Sequence, residues 1–360
     1  MGKRIVIVGA GIIGVALALH LARKGSEVVV VEELAKPIGV ATPRSWAWIN
    51  ASWGNDPDYF KLRSFSMAGW RDLQKTVPAL SANWCGGLLW DLPQPELEAY
   101  VTERQAQGYA LRTLDRAGIA EREPNLLQIP DIAVLAEGEG SVEPLHAVAV
   151  LAAAARLAGV EFRCAAFVEG LQTQNTRVTG VKTDNTVIAA DHVVVAAGTG
   201  SVHLLKSIGL ALALEQPEGL LVSSAPVEKM LNGLVMAPEL HVRQTTEGRL
   251  VAGSDFGGAD PGDSLEKTAT DLFAKVQALL RGGENLKMEG FTIGTRPSLP
   301  DGVPCVGAVP GFEGLSIAVT HSGITLAPAI GELLAAEILE GGVHPLIMPY
   351  RPDRVIGPAP

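Results

Sequence analysis

Residues 5–14 read IVIVGAGIIG, and this stretch decides the fold of the chain. Its leading apolar residues are typical of a buried strand, and its glycines have the GxGxxG spacing found where a strand turns into a helix. The helix ends at Gly25, and a second apolar run over 28–31 leads to Glu32. Strand, glycine turn, helix and acid-terminated strand together predict a βαβ unit that binds a dinucleotide.

Each residue type in this unit has a chemical reason. Gly9 permits the tight turn out of the strand, Gly11 lets a pyrophosphate approach the backbone, and Gly14 lets the helix pack on the sheet. The free amides at the helix N-terminus then face the phosphates. The carboxylate of Glu32 can accept hydrogen bonds from both ribose hydroxyls and would repel a 2′-phosphate. These residues alone do not distinguish NAD from FAD.

The composition suits a large globular enzyme and argues against nucleic acid as a partner. The 360 residues are 47% hydrophobic and include 40 glycines, which is typical of an α/β protein that divides into two lobes. The formal net charge is -10, and the sequence contains no basic run. Binding to phosphate backbones depends on clustered Lys and Arg, so no nucleic-acid partner is predicted.

The cysteines and apolar stretches predict a soluble, cytoplasmic protein. Cys85, Cys164 and Cys305 are widely spaced without a CxxC pair, which argues against a disulfide framework and against a metal site. The chain carries no secretory signal, and its longest apolar helical stretch, 147–155, is too short to span a membrane. The sequence leaves the oligomeric state open, with a homo-oligomer as one alternative.

The order of predicted elements divides the chain into two discontinuous domains. Helices and strands alternate at first, whereas 219–224 and 240–244 are predicted strands of a different lobe, followed by a helix over 265–280. The first domain is predicted to comprise residues 1–70, 133–214 and 286–350, and the second residues 71–132 and 215–285. The proline-rich residues 351–360 are predicted to form an extended tail.

Three further motifs carry a family resemblance. They read ATPRS at 41–45, GTRPSLPDGVP at 294–304 and THSGITLAP at 320–328. Together with the N-terminal fingerprint, the chain resembles the FAD-dependent D-amino-acid oxidase (DAO) family, which includes glycine oxidase and the sarcosine oxidases. The resemblance covers nearly the whole chain. It implies an α/β (α+β overall) fold, in which a Rossmann-type FAD-binding domain carries an inserted antiparallel-sheet substrate domain.

The resemblance also implies that FAD is stretched between these domains. The residues implied to hold it are Gly9, Gly11, Ile12, Ile13, Gly14, Glu32, Glu33, Thr42, Arg44, Ser45, Val168, Ala197, Gly198, Gly323, Ile324, Thr325 and Leu326. The last four begin a helix at the flavin C2 carbonyl, where amides and the helix dipole stabilise the negative charge of reduced flavin. Gly294 stands nearest to the site where sarcosine-oxidase relatives carry a flavin-linking cysteine, so non-covalent FAD is expected.

On the substrate side, Arg296 corresponds to the arginine that binds the substrate carboxylate in the glycine-oxidase pattern. A guanidinium suits that role because its fork matches a carboxylate and stays charged. His241 falls where the family places a substrate-side tyrosine, and alternation puts Arg243 on the same face of its strand. Trp46 and Trp48 share a face if that stretch is extended, and they are interpreted as walls of the flavin site. The alternatives are ordinary surface or core positions for His241 and Arg243, a core role for the two tryptophans, and a structural salt bridge for Arg296.

His321 precedes the flavin-facing helix, where it either tunes the charge of flavin or substrate or makes a structural hydrogen bond. Relatives often have a longer spacer between this histidine and the following glycine, with a further basic residue in it. Only Ser322 separates His321 from Gly323 here. The departure leaves open a second carboxylate contact and the charge that promotes reaction with oxygen.

The implied function is oxidation of the C–N bond of an amino acid or N-substituted (secondary) amino acid. Hydride transfer to flavin N5 would give an imine that hydrolyses, with O2 or a quinone or electron-transfer partner as acceptor. One alternative is a dehydrogenase or flavin subunit of a complex. Another is a flavin domain that modifies nucleic-acid-bound aminomethyl groups, which the negative charge disfavours.

Overall fold

A computed structural model describes residues 2–53, 56–184, 186–255 and 257–359 of the chain. Its helices are α1 (Ile12–Arg23), α2 (Pro57–Thr76), α3 (Gln94–Ala106), α4 (Arg116–Arg122), α5 (Pro144–Leu157), α6 (Ser201–Lys206), α7 (Leu265–Leu279) and α8 (Gly323–Glu340). Its strands are β1 (Arg4–Val8), β2 (Glu27–Val31), β3 (Trp48–Ile49), β4 (Ala82–Asn83), β5 (Gly87–Leu89), β6 (Leu111–Asp115), β7 (Ile132–Ala136), β8 (Gly140–Val142), β9 (Glu161–Arg163), β10 (Val168–Gln174), β11 (Arg177–Thr183), β12 (Thr186–Ala189), β13 (His192–Val195), β14 (Leu210–Leu212), β15 (Glu218–Ser224), β16 (Leu234–Ala237), β17 (Leu240–Gln244), β18 (Leu250–Gly253), β19 (Met288–Thr295), β20 (Cys305–Ala308), β21 (Leu315–Val319) and β22 (Ile356–Pro358).

The first sheet contains the predicted βαβ unit. Its strand order is β20-β21-β13-β1-β2-β9, and β1 runs parallel to both β2 and β13. The buried residues of β1 alternate between two cores. Ile5 and Ile7 face α1, α5 and α8, whereas Val6 and Val8 face the three-stranded sheet β10-β11-β12. Both faces are therefore covered, which explains the continuous apolar run in this strand.

The second sheet has the order β19-β15-β18-β17-β16-β5-β7-β6, and its pairings are antiparallel except between β16 and β5. Helix α7 covers one face with Leu272, Phe273 and Val276. The other face packs Leu221 and its neighbours against Trp46 and other residues next to the first sheet. The expected α/β fold with an inserted, largely antiparallel sheet is confirmed.

Three details differ from the predicted organisation. Strands β7 and β19 pair within the second sheet, although their residues fall almost wholly in ranges predicted for the first domain. Strand partners are long-range contacts that the local pattern of either strand does not encode. The tail is extended only in part, because 352–354 form a 3₁₀ turn, whereas β22 is an extended strand that pairs with β14. No helix of the described ranges is long and apolar enough to cross a membrane.

Candidate active site between the two sheets

A cavity of about 800 Å³ lies between the two large sheets. It is bounded by the carboxyl ends of β1 and β2 and by the N-terminus of α1. The N-terminus of α8, where a Cβ on Gly323 would lie 3.6 Å from Ile12, also lines it, as do the segment after β19 and Leu221 of β15. Open parallel sheets bind ligands outside the carboxyl ends of their strands. The predicted dinucleotide site is therefore continuous with the second sheet.

The glycine turn after β1 is fixed by close backbone packing. Gly9 has a φ of 103°, and a Cβ there would lie 2.5 Å from the carbonyl oxygen of Ala196. A Cβ on Gly14 would lie 2.0 Å from the carbonyl oxygen of Gly9. Side chains at these positions would force the backbone apart. The glycines bring α1 against the turn, so that its first-turn amides, which lack partners within the helix, lie at the cavity.

Two side chains tie this turn to neighbouring segments. Glu32 is buried, and its two carboxylate oxygens accept hydrogen bonds from the amides of Ala10 at 2.7 Å and Leu34 at 3.0 Å. Burial raises the pKa of the Glu32 carboxyl, and the amide hydrogen bonds act in the opposite direction. The hydroxyl of Thr42 accepts a hydrogen bond from the amide of Ile12 at 3.1 Å.

Most of the residues predicted to hold a cofactor line this one cavity. They are Gly9, Gly11, Ile12, Ile13, Glu32, Glu33, Thr42, Arg44, Ser45, Val168, Ala197, Gly198, Gly323, Ile324 and Thr325. Gly14 and Leu326 do not line it. Gly14 packs within the turn, and Leu326 is fully buried with its amide donating to the carbonyl oxygen of Ser322 at 3.0 Å. Helix hydrogen bonding thus already uses the amide that the prediction assigned to the flavin.

The first turn of α8 is held by α2 and β3. On α2, the Ser66 hydroxyl donates to the carbonyl oxygen of Thr325 at 2.6 Å, and the Trp70 indole donates to that of Ile324 at 2.9 Å. The Thr325 hydroxyl in turn donates to the carbonyl oxygen of Trp48 at 2.9 Å. These bonds fix where the N-terminal end of the α8 dipole meets the cavity.

Arg296 lines the cavity with an unengaged guanidinium. Its side chain makes no hydrogen bond to any residue of the described ranges, and its Nε is buried. Gly257 packs flat against it, because a Cβ at that position would lie 2.0 Å from Nη1. Gly257 therefore closes one side of the guanidinium, and its two Nη groups have no hydrogen-bond partner among the described residues.

His321 also lines the cavity, and it is neutral at physiological pH. Burial, together with the positive charges of Arg63 and Arg296, lowers the pKa of its imidazole to about 4. The cationic form is disfavoured because two guanidinium charges lie nearby and water is largely excluded.

Two indoles form part of the cavity wall. Trp46 and Trp48 meet edge to face with ring centroids 6.0 Å apart. Ala47 has a φ of 65°, so the stretch is not extended as the sequence analysis assumed. The Trp46 indole donates to the carbonyl oxygen of Val251 at 3.2 Å, and the Trp48 indole donates to Glu139 at 2.9 Å. Both rings are thus tied to segments outside their own.

Comparison with known proteins identifies the family. The family model described as FAD dependent oxidoreductase matches residues 4–337. The chain belongs to this family. It is 29% identical to the glycine oxidase of Pseudomonas putida over 379 residues, which cover 99% of this chain and 100% of that protein.

Two solved structures share its fold. The glycine oxidase of Geobacillus kaustophilus has a TM-score of 0.86 at 24% identity and covers 99% of this chain and 100% of its own. The L-proline dehydrogenase of P. horikoshii has a TM-score of 0.88 at 22% identity and covers 98% and 97%.

The cavity of this FAD dependent oxidoreductase fits its cofactor. Two helix N-termini, those of α1 and α8, open into the same space. Helix N-termini favour negative charge, which FAD carries on its pyrophosphate and, when reduced, on its flavin. Gly11 stands at the first of them, where a Cβ would reach 3.4 Å from Thr42 Oγ1 and narrow the approach to the turn. The buried carboxylate of Glu32 supplies an acceptor beside this turn.

Two predicted substrate contacts of the oxidoreductase lie elsewhere. His241 and Arg243 do share a face of β17, but that face meets Trp46, and neither residue lines the cavity. His241 Nε2 lies 2.9 Å from Asp91 Oδ2 beside a second, separate cavity. Arg243 pairs with Glu143 at 2.9 Å and donates to the carbonyl oxygen of Trp46 at 2.6 Å. Trp46 lines the cavity and contacts both residues, an arrangement that strand alternation does not predict.

Two buried charged residues near the cavity were not predicted from the sequence. Arg63 of α2 lines the cavity, and Glu139 binds the Trp48 indole. Arg63 had a readable signal, since it stands at helical spacing between Phe60 and Met67 in the buried stripe of α2. Glu139 lies between two glycines in a turn, and no periodic pattern distinguishes it from a solvated turn residue.

Proposed function

We propose that this FAD dependent oxidoreductase oxidises the C–N bond of an amino acid or N-substituted (secondary) amino acid. The observation that carries the proposal is the seated, unengaged guanidinium of Arg296 in the same cavity as the N-terminus of α8. When bound, FAD would supply the acceptor at N5 for the hydride that leaves the substrate α carbon. The lone pair of the amine nitrogen would form the C=N bond as the hydride leaves, and water would hydrolyse the resulting iminium.

Arg296 binds the substrate carboxylate in this proposal. A guanidinium presents its N–H groups as a planar fork, which matches two carboxylate oxygens. Because Gly257 packs against the guanidinium of Arg296, the guanidinium cannot move toward Gly257. Fixing the carboxylate fixes the position of the α carbon two bonds away, which is the main contribution that positioning makes to rate.

The local charges favour a substrate whose amine is neutral. Arg296 and Arg63 are cations, and His321 carries no charge above its pKa of about 4. An ammonium group would be repelled by both guanidinium groups, whereas a neutral amine keeps its electron pair available. The neutral His321 is too weak a base to take a proton from an ammonium, so the substrate proton leaves to solvent before oxidation.

The cofactor-binding residues are also a proposal. Gly9, Gly11, Ile12 and Ile13 would hold the pyrophosphate, and Glu32 and Glu33 the ribose. Thr42, Arg44 and Ser45 would lie along the phosphates and ribityl chain, and Val168, Ala197 and Gly198 near the adenosine. Gly323, Ile324 and Thr325 would meet the flavin C2 carbonyl. Trp46 and Trp48 would exclude water from the reacting atoms.

Substrate, acceptor and setting follow as narrower proposals. One relative is a glycine oxidase and one structural neighbour is an L-proline dehydrogenase, so both small primary and cyclic secondary amines belong among the substrates tested. Because one of these proteins is an oxidase and the other a dehydrogenase, both O2 and a quinone or electron-transfer partner are tested as acceptors. The free cysteines Cys85, Cys164 and Cys305 favour the reducing cytoplasm.

Anaerobic mixing tests the function directly. The FAD-loaded enzyme is mixed with glycine, sarcosine, D- and L-alanine and D- and L-proline, and flavin absorbance is followed before air is admitted. We expect bleaching by at least one of these. Rapid return of colour in air identifies an oxidase, and slow return that a quinone accelerates identifies a dehydrogenase. If none of them bleaches the bound flavin, the free amino-acid substrate class is wrong.

A further inference from the structure

Arg63 is a buried cation whose donors are all engaged. The residue is 6% exposed and projects from α2. Its N–H groups donate to neutral oxygens of four residues. These bonds are Nε to Asn50 O at 3.0 Å, Nη1 to Ser322 Oγ at 2.8 Å and Tyr59 Oη at 3.3 Å, and Nη2 to Asn50 Oδ1 at 2.7 Å and Thr325 Oγ1 at 3.4 Å. A guanidinium has five N–H groups, so none is left for a ligand.

The charge of Arg63 has no counter-ion among the described residues. The two other buried arginines each have one, since Arg104 pairs with Glu103 at 3.3 Å and Arg243 with Glu143 at 2.9 Å. Burying a charge without a partner of opposite sign is costly, even when neutral groups satisfy its hydrogen bonds. The fold therefore holds an uncompensated positive charge beside the cavity.

The position of this charge indicates what compensates it. Arg63 donates to Ser322 and Thr325, which flank and begin the first turn of α8. The N-terminus of α8 is itself electropositive, so two positive sources act at one point of the cavity wall. His321 beside them adds no charge at physiological pH. An anion at the N-terminus of α8 would be stabilised by both sources.

Arg63 and Arg296 differ in a way that separates their roles. The guanidinium of Arg296 has its donors available, so it can bind a substrate carboxylate through hydrogen bonds. The donors of Arg63 are engaged by the protein, so it can act on a ligand only through its charge. A fixed positive charge of this kind stabilises the more negative of the two charge states of a bound group.

We propose that Arg63 is the fixed counter-charge for the negative charge that FAD gains on reduction, and that it raises the reduction potential of the bound flavin. The inference rests on the proposed placement of the flavin at the N-terminus of α8.

The test is the two-electron reduction potential of bound FAD, measured by titration against redox dyes without substrate. We expect Arg63→Met to lower the equilibrium constant for reduction at least tenfold, equivalent to about 30 mV for a two-electron couple. Arg63→Lys keeps the charge and is expected to remain within threefold of wild type. The matched control is Arg71→Met on the same helix, where the guanidinium stacks on Trp84 outside the cavity and donates to the carbonyl oxygen of Gly138.

Binding of the cofactor supplies a second readout. Because reduction and binding are linked, Arg63→Met should weaken the binding of reduced FAD at least tenfold more than that of oxidised FAD. A purely structural role would weaken both equally and leave the potential unchanged. If Arg63→Met does not fold, Arg63→Gln is compared with Arg63→Lys in the same way.

The proposal would be overturned if the equilibrium constant for FAD reduction changed less than threefold in Arg63→Met. It would also be overturned if that constant changed equally in Arg63→Lys. The outcome does not depend on turnover. An enzyme that no amino acid reduces, yet whose potential falls in Arg63→Met, would refute the proposed function and support the role of Arg63.

Discussion

The indole Nε1 of Trp48 donates a hydrogen bond of 2.9 Å to Oε2 of Glu139, a carboxylate with no exposed surface. The other oxygen of Glu139 accepts four hydrogen bonds. Their donors are Ala51 N at 3.2 Å, Ser52 N at 3.1 Å, Ser52 Oγ at 2.6 Å and Tyr109 Oη at 2.9 Å. Glu139 thus positions both the Trp48 indole, which lines the cavity, and the backbone of Ala51 and Ser52.

Glu139→Gln is expected to lower the free energy of unfolding by about 2–4 kcal/mol. The amide oxygen can keep the four donors at Oε1, but the amide nitrogen would face the Trp48 indole with a donor instead of an acceptor. Urea denaturation measures the loss, and indole fluorescence reports on the Trp48 environment. Glu137→Gln, at an exposed ion pair with Arg112, is the control and should change stability by less than about 0.5 kcal/mol. Equal effects of the two substitutions would contradict this role of Glu139.

Arg296→Met is expected to weaken the binding of carboxylate ligands about 100-fold, since it removes two charge-assisted hydrogen bonds. Flavin absorbance during titration with a carboxylate inhibitor gives the dissociation constant. An amine substrate that lacks the carboxylate should lose little affinity. Arg281→Met, an exposed arginine outside the cavity, serves as the control. Unchanged affinity for the carboxylate would refute the assignment of Arg296.

Gly257→Ala tests whether the seat of that guanidinium matters. The added Cβ would lie 2.0 Å from Nη1 of Arg296 and displace the fork, so carboxylate binding should weaken about tenfold. Gly290→Ala on β19, where a Cβ meets nothing within 4 Å, is the control. In an Arg296→Met background, Gly257→Ala should have no further effect on carboxylate binding. Additive losses in that background would show that Gly257 acts by another route.

The His321 imidazole makes a contribution to stability that depends on pH. Its pKa is about 4 in the folded protein and 6.5 when unfolded, so between these values the unfolded chain binds the extra proton. Stability from this group therefore rises with pH through the window and is constant above it, by up to about 1.4 kcal/mol per pH unit. We expect His321→Gln to lose this slope. The difference in unfolding free energy between wild type and variant, measured from pH 4 to 7 with FAD saturating, cancels the other titrating groups. Parallel curves would refute the lowered pKa.

The sequence predicted best what short-range patterns encode. The turn at Gly9 and Gly14 follows from backbone packing within one βαβ unit, and the start of α8 at Gly323 follows from a local motif. The strand alternation of β17 correctly placed His241 and Arg243 on one face. It did not predict the intervening ring of Trp46, whose position depends on the left-handed Ala47 and on partners distant in sequence.

Charged residues in the interior were the hardest to interpret. The proposed role of Arg63 depends on the absence of an acidic counter-ion among the described residues, and the sequence alone does not show which acid faces which base. For Arg243 the sequence left a pocket role and a structural role open, and in the structure it pairs with Glu143 and does not line the cavity. Strands β7 and β19 were misplaced for a related reason, since their partners lie in distant parts of the chain.

The segment from Trp46 to Ser52 is fastened from both sides. Val251, Arg243, Glu139 and Arg104 bind it from the second sheet and its neighbouring elements, and Arg63 binds it from α2. A hinge motion that swung the two halves apart would have to tear these bonds and dismantle the cavity wall. We therefore expect substrate to enter and product to leave through local displacements of the cavity lining rather than through separation of the two sheets.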